Sequence, residues 1–168
     1  MLVRTVGELA LKTFNSLEPG DLVQYVDDRP VRRAIVILSV GGRKVLLDLD
    51  GRSAFNYFTG DPEGSDLYLP LAVGSELLVE LDVNEPVSSE MRTPGILTVH
   101  AGQPLLTVLS GSAWKFVPLG RWQVIEPNSM NTLHTGAFEC YGVWSLGVRR
   151  FDGAFERLAG FSNVEGQP

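Results

Sequence analysis

Apolar and polar positions alternate along most of the chain, and that alternation predicts strands. In residues 76–83, Leu77, Val79, Leu81 and Val83 fall on one side and Glu76, Leu78, Glu80 and Asp82 on the other. A period of two marks a half-exposed strand. Residues 137–150 repeat the pattern over a longer span, with Phe138, Cys140, Trp144, Leu146 and Val148 set against Glu139, Tyr141, Ser145 and Arg149. Earlier in the chain, the runs 31–40 and 43–50 flank Gly41-Gly42. Two glycines between such runs predict a two-residue hairpin, whose central positions need φ > 0. Pairing Val40 with Arg43 sets the register by counting. Ala34, Val36, Leu38 and Val40 then share a core face with Leu49, Leu47 and Val45. On the other, half-wet face Arg33 lies opposite Asp50, Ile35 opposite Asp48 and Ile37 opposite Leu46. A second hairpin is expected from residues 96–100 and 105–110, turning at Gly102-Gln103. Further strands are expected at 22–26, 113–117 and 121–126.

Two segments read as helix. In residues 5–17, Thr5 and Glu8 have capping-box spacing, and Val6, Leu9, Ala10, Phe14 and Leu17 make one apolar stripe before the turn Glu18-Pro19-Gly20-Asp21. In residues 151–161, Phe155, Leu158 and Ala159 recur at helical spacing and predict a short closing helix. The expected fold class is therefore α+β, mainly β: an N-terminal helix packed on a bent antiparallel sheet or small β-barrel, with a short C-terminal helix. The stretch from Leu17 to Val23 is similar to the opening of many small β-barrels and points to no one family. The 168 residues suit a single domain, 1–168, with the polar stretch 84–95 as the candidate subdomain boundary. A chain of this size buries about 70% of its unfolded surface and needs no metal or disulfide to hold a core.

Composition narrows the function classes. The net charge of −6 argues against a general binder of nucleic acid or anionic membrane. No run of about 18 apolar residues offers a membrane span, and the N-terminus lacks the pattern of a signal peptide. One cysteine leaves no internal disulfide and is compatible with a cytoplasmic location. The glycine-rich phosphate loops, paired Cys-x-x-Cys, His-Glu-x-x-His and Gly-x-Ser-x-Gly patterns are all missing. No catalytic residue, metal ligand or cofactor is assigned, and the chain reads as leaning away from an enzyme.

Three constellations still merit weighing. Cys140 with His134 has the residue types of a nucleophile–base pair, but Cys140 falls among apolar neighbours and reads as an inert core thiol. Asp48 and Asp50 resemble the start of a calcium loop without its closing ligands, so the favoured reading is Asp50 paired with Arg33. The least regular stretch carries Phe55, Tyr57, Phe58, Asp61, Glu63, Asp66 and Tyr68. Rings beside carboxylates on an irregular segment suit a protein-binding patch, though rings there also serve to plug the end of a barrel. Trp114, Trp122 and Trp144 sit in alternating apolar contexts and read as core. The leading expectation is a non-catalytic acidic interaction protein, of inhibitor, immunity or adaptor type, binding a more basic protein partner. The alternatives are a small-ligand-binding β-barrel lined by Trp and Tyr, and an uncommon hydrolase using the carboxylates at 61, 63 and 66.

Overall fold

A computed structural model describes residues 11–26, 29–59, 66–82, 86–87, 93–127 and 138–162. The strands are β1 (Lys12–Thr13), β2 (Leu22–Tyr25), β3 (Arg33–Leu38), β4 (Lys44–Asp48), β5 (Tyr57–Phe58), β6 (Leu67–Ala72), β7 (Leu77–Leu81), β8 (Pro86–Val87), β9 (Leu97–His100), β10 (Gln103–Ser110), β11 (Ala113–Pro118), β12 (Phe138–Tyr141), β13 (Val143–Arg149) and β14 (Phe155–Ser162). They form three antiparallel sheets in the orders β1-β6-β2-β3-β4-β5, β11-β10-β9-β12-β8 and β14-β13-β7.

The first hairpin forms with a register one residue from the expected one. Ala34 pairs with Asp48, Ile35 with Leu47, Val36 with Leu46 and Ile37 with Val45. The turn has three residues, Val40, Gly41 and Gly42. Gly42 donates to Ser39 O at 2.9 Å, Ser39 donates to Arg43 O at 2.8 Å, and Gly42 has φ +78°. This is a tight turn closed by a left-handed glycine, the commonest three-residue solution. Both faces of the hairpin are consequently buried. Ile35, Ile37, Val45 and Leu47 enter a main core that also takes Leu97, Leu106 and Val108 from the second sheet and Trp144, Leu146 and Ala159 from the third. Ala34, Val36 and Leu46 face a second core with Val23 and Tyr68, covered by Phe14 and Leu17.

No helix occurs at either end among the described residues, and this corrects the expected class from α+β to a mainly β, curled antiparallel fold. Near the N-terminus, Lys12–Thr13 pairs with β6, and Phe14–Ser16 makes one 3₁₀ turn. Thr5 and Glu8 lie outside the described residues. Phe14 and Leu17 are apolar at helical spacing because both cap the second core, one from each end of a short turn. At the C-terminus, residues 155–162 form a strand paired along β13. A bulge lies between Leu146↔Ala159 and Gly147↔Arg157, leaving Leu158 as the extra residue. The inserted residue puts Leu158 beside Ala159 on the core side, while Phe155 lies on the outer face over Gly147, so the apolar positions 155, 158 and 159 have helical spacing without sharing a face.

The long alternation of residues 137–150 also breaks. Gly142 separates β12 in the second sheet from β13 in the third. Tyr141 and Trp144, three apart, both reach the main core. Cys140 instead faces Thr98, with Sγ and Oγ1 3.5 Å apart. Of the expected strand 76–83, Leu77–Leu81 form β7 with Leu77, Val79 and Leu81 packed on the main core, Glu76 ends a 3₁₀ turn, and Val83 lies outside the described residues. The second hairpin turns one residue earlier, at Ala101-Gly102, both with positive φ.

Few bonds tie the sheets together, and each comes from a recognisable place. Leu38 N–H donates to Trp122 O and Val124 N–H donates to Leu38 O, each at 2.8 Å, which docks residues 122–124 on the end of β3. Leu109 N–H donates to Phe55 O at 2.8 Å and joins the first sheet to the second. Arg33 joins the first sheet to the third. Its guanidinium grips both oxygens of Asp50, at 2.8 and 2.9 Å, and its Nη1 donates to Leu158 O at 2.9 Å. Burial by itself would raise the Asp50 pKa, but the Arg33 hydrogen bonds and the charges of Arg33 and Arg32 outweigh it and hold the carboxyl below its usual range.

Two outcomes follow. Asp50 titrates lower in the folded chain than in the unfolded one. Its contribution is therefore complete above the unfolded value of about 4 and is lost as pH falls through the folded value. Asp50→Asn should cost about 1–2 kcal/mol at neutral pH, a gap that closes in acid, as read by urea melts across that range. A gap independent of pH would show that the ion pair contributes nothing. At Gly147, an added Cβ would lie 2.3 Å from Glu156 O and 2.5 Å from the Phe155 ring. Gly147→Ala should therefore destabilise by about 1–3 kcal/mol in the same melts. Stability equal to the parent would mean that the bulge is misplaced.

Candidate functional site

The seven residues of the ring-and-carboxylate stretch do not form one patch. Phe55, with φ +63°, is buried in the main core against Trp144 and Phe161, at ring-centroid distances of 6.1 and 5.5 Å. A Cβ on Gly95 would lie 2.4 Å from its ring, so Phe55 plugs the junction of the first and second sheets. Tyr68 is buried in the second core, 5.4 Å from the Tyr25 ring. Tyr57 and Phe58 lie on opposite faces of β5, Tyr57 half-buried on the main core and Phe58 exposed. Asp66 is exposed at the start of β6. Asp61 and Glu63 lie outside the described residues.

The same end of the first sheet carries an exposed apolar row that was not read from the sequence. Gln24 pairs with Arg33 and with Leu69, and Tyr25 with Tyr68; Tyr25 N–H also donates to Arg32 O. Continuing that register by one residue puts Val26 between Val31 and Leu67. These three are 41%, 55% and 43% exposed. Cross-strand neighbours lie about 5 Å apart, so the three side chains form one surface. The available signal was the pair of valines flanking the polar turn Asp27-Asp28-Arg29-Pro30. A further exposed ring, Phe151, stands alone at the tip of the β13–β14 turn.

Around this row the charges are unequal. The segments that join its strands carry Asp27, Asp28, Asp61, Glu63 and Asp66 against Arg29. At the start of β3, Arg33 is engaged by Asp50 and the preceding Arg32 by the buried Asp48, while Arg29 is exposed. Asp48 also accepts from Ser53 Oγ at 2.8 Å and from Tyr25 Oη at 3.4 Å, while the Arg32 guanidinium lies 5.0 Å over the Tyr25 ring.

Candidate nucleophiles and ligand sets were traced in the same way. Burial pushes the Cys140 thiol pKa up, against the opposing pull of Thr98, and a neutral thiol is a poor nucleophile. His134, its proposed partner, lies outside the described residues. His100 shares the face of Thr98 and Thr107, and its Nδ1 is buried without a hydrogen-bond partner. Among the described residues, no three His, Cys, Asp or Glu side chains are grouped to hold a metal ion, and no helix is long and apolar enough to cross a membrane. Trp144 and Trp122 are buried, and Trp114 is half-buried against Phe116. In comparisons with known proteins, the chain matches no family model, no curated protein and no solved structure.

Proposed function

We propose that this protein is a non-catalytic interaction module that docks a basic protein partner on the end of its six-stranded sheet. Val26, Val31 and Leu67 form the apolar centre, Asp66 lies beside it at the start of β6, and the sequence of the adjoining segments adds further carboxylates. One observation carries the reading: three large aliphatic side chains, Val26, Val31 and Leu67, stand exposed at the neighbouring ends of β2, β3 and β6. Apolar centres ringed by charge are the usual anatomy of a protein interface. An acidic rim selects basic partners and speeds their approach. The interior supports a surface role, since side chains of all three sheets meet in the main core where a barrel ligand would otherwise sit.

The test compares the parent chain with two variants in capture from the native cell extract. One variant is Val26→Ser with Leu67→Ser; the other is Asp61→Asn, Glu63→Gln and Asp66→Asn. The parent should retain a basic protein whose capture weakens as salt rises from about 50 to about 500 mM. The apolar variant should lose that partner about tenfold or more. The charge variant should slow its association, with both variants melting close to the parent. Equal retention of the same partner by all three chains would overturn the proposal.

A further inference from the structure

The outer face of the three-stranded sheet holds a second feature, far from the apolar row in the strand order. Glu80 on β7 pairs across to Ser145 on β13, and Ser145 pairs to Gly160 on β14. Glu80, Ser145 and Gly160 therefore form one row across the sheet. A cleft of about 290 Å³ opens over it, lined by Glu80, Asp82, Ser145 and Arg157 together with Leu81, Val143 and Trp144. Ser145 is only 5% exposed, yet among the described residues nothing hydrogen-bonds its hydroxyl. The hydroxyl itself is not sealed from solvent, because Ser145 lines the cleft.

Arg157 reaches the cleft because of the bulge. With unbroken alternation, residue 157 would point inward with Ala159 and Phe161, both on the main core. The inserted Leu158 turns it outward, opposite Gly147. Bulges commonly re-aim a side chain beside a site. Gly160 leaves the space open. A Cβ there would stand 3.7 Å from Ser145 Oγ and 3.6 and 3.8 Å from Arg157 Cδ and Nη1, so the guanidinium and the hydroxyl converge above this glycine. Glu80 and Asp82 form the opposite wall. The walls are two strand spacings apart, about 10 Å, and among the described residues Arg157 forms no ion pair with either carboxylate.

We infer that this cleft binds a small zwitterion of the amino-acid or dipeptide class. Its ammonium group faces Glu80, and its carboxylate takes hydrogen bonds from Arg157 and Ser145. A cation at one wall and an anion at the other, separated by a neutral donor, complement a dipolar ligand better than a simple anion or cation. The volume is at the small end for ligand sites, which favours a molecule of that size. The site stands apart from the proposed docking surface, and neither depends on the other.

The experiment is a titration of the full chain with glycylglycine, followed by amide chemical shifts. Acetate, ethylamine and glucose serve as comparison probes. Glycylglycine should shift the amides of Glu80, Ser145 and Gly160 saturably, and acetate and ethylamine, each with half of the contacts, should bind about tenfold more weakly or worse. Glu80→Gln and Arg157→Gln should each weaken glycylglycine about tenfold. Gly160→Val fills the cleft at a position where a Cβ meets only ordinary contacts, so it should abolish the shifts without altering the melt. No saturable shift, tighter binding of glucose, or undiminished binding by Gly160→Val would each overturn the inference.

Discussion

Asp48 holds a carboxylate with 1% of its surface exposed beneath the Arg32 guanidinium, with Ser53 and Tyr25 donating to its oxygens. The pairing of the first hairpin depends on it. On a one-residue slip Lys44 moves at the turn end of the ladder, while Val45, Leu46 and Leu47 each exchange one aliphatic side chain for another at small cost. Asp48 does not. A slip would carry its carboxylate from the face of Ala34 to that of Ile35, inside the main core and away from Arg32. An uncompensated buried charge costs several kcal/mol, more than the difference between two aliphatic packings. The ion pair contributes less to net stability than to the choice among registers.

That choice propagates to the surface. The pairing of β3 with β2 fixes which side of the sheet carries Val26 and Val31, and the pairing of β2 with β6 adds Leu67 to the row. The same register fills both faces of the hairpin, so the first sheet separates two cores and leaves Val26, Val31 and Leu67 exposed at its end. On the third sheet, the bulge acts comparably by sending Arg157 outward over Gly160. In both places a polar group in a constrained position, rather than the apolar pattern, decides what the surface displays.

Much of the fold is legible in the sequence where one face is wet. Residues 77–81 alternate because one side packs on the main core and the other carries Glu80 into solvent. The Arg33–Asp50 pair is readable from position, and so is the burial of Trp122 and Trp144. The hairpin register is not readable from apolarity, because both faces are buried and a slip leaves the pattern unchanged. Residues 155–161 imitate a helix because a bulge adds one residue to a strand. The alternation across Gly142 breaks because the chain changes sheets there. The candidate site fails in a similar way: Phe55 and Tyr68 look like surface rings on an irregular segment, but each fills a core, while Val26 and Val31 look like strand interior and stand exposed. Local pattern reports burial only when the sheet's other side is known.

The most direct test is the cross-strand contact map of β3 and β4 in solution. Isotope-edited nuclear Overhauser spectra on the parent chain report which residues face each other. The account predicts contacts joining Ala34 to Asp48 and Val36 to Leu46, with Asp48 also close to Tyr25 and Ser53. Contacts joining Ile35 to Asp48 and Ile37 to Leu46 would contradict it.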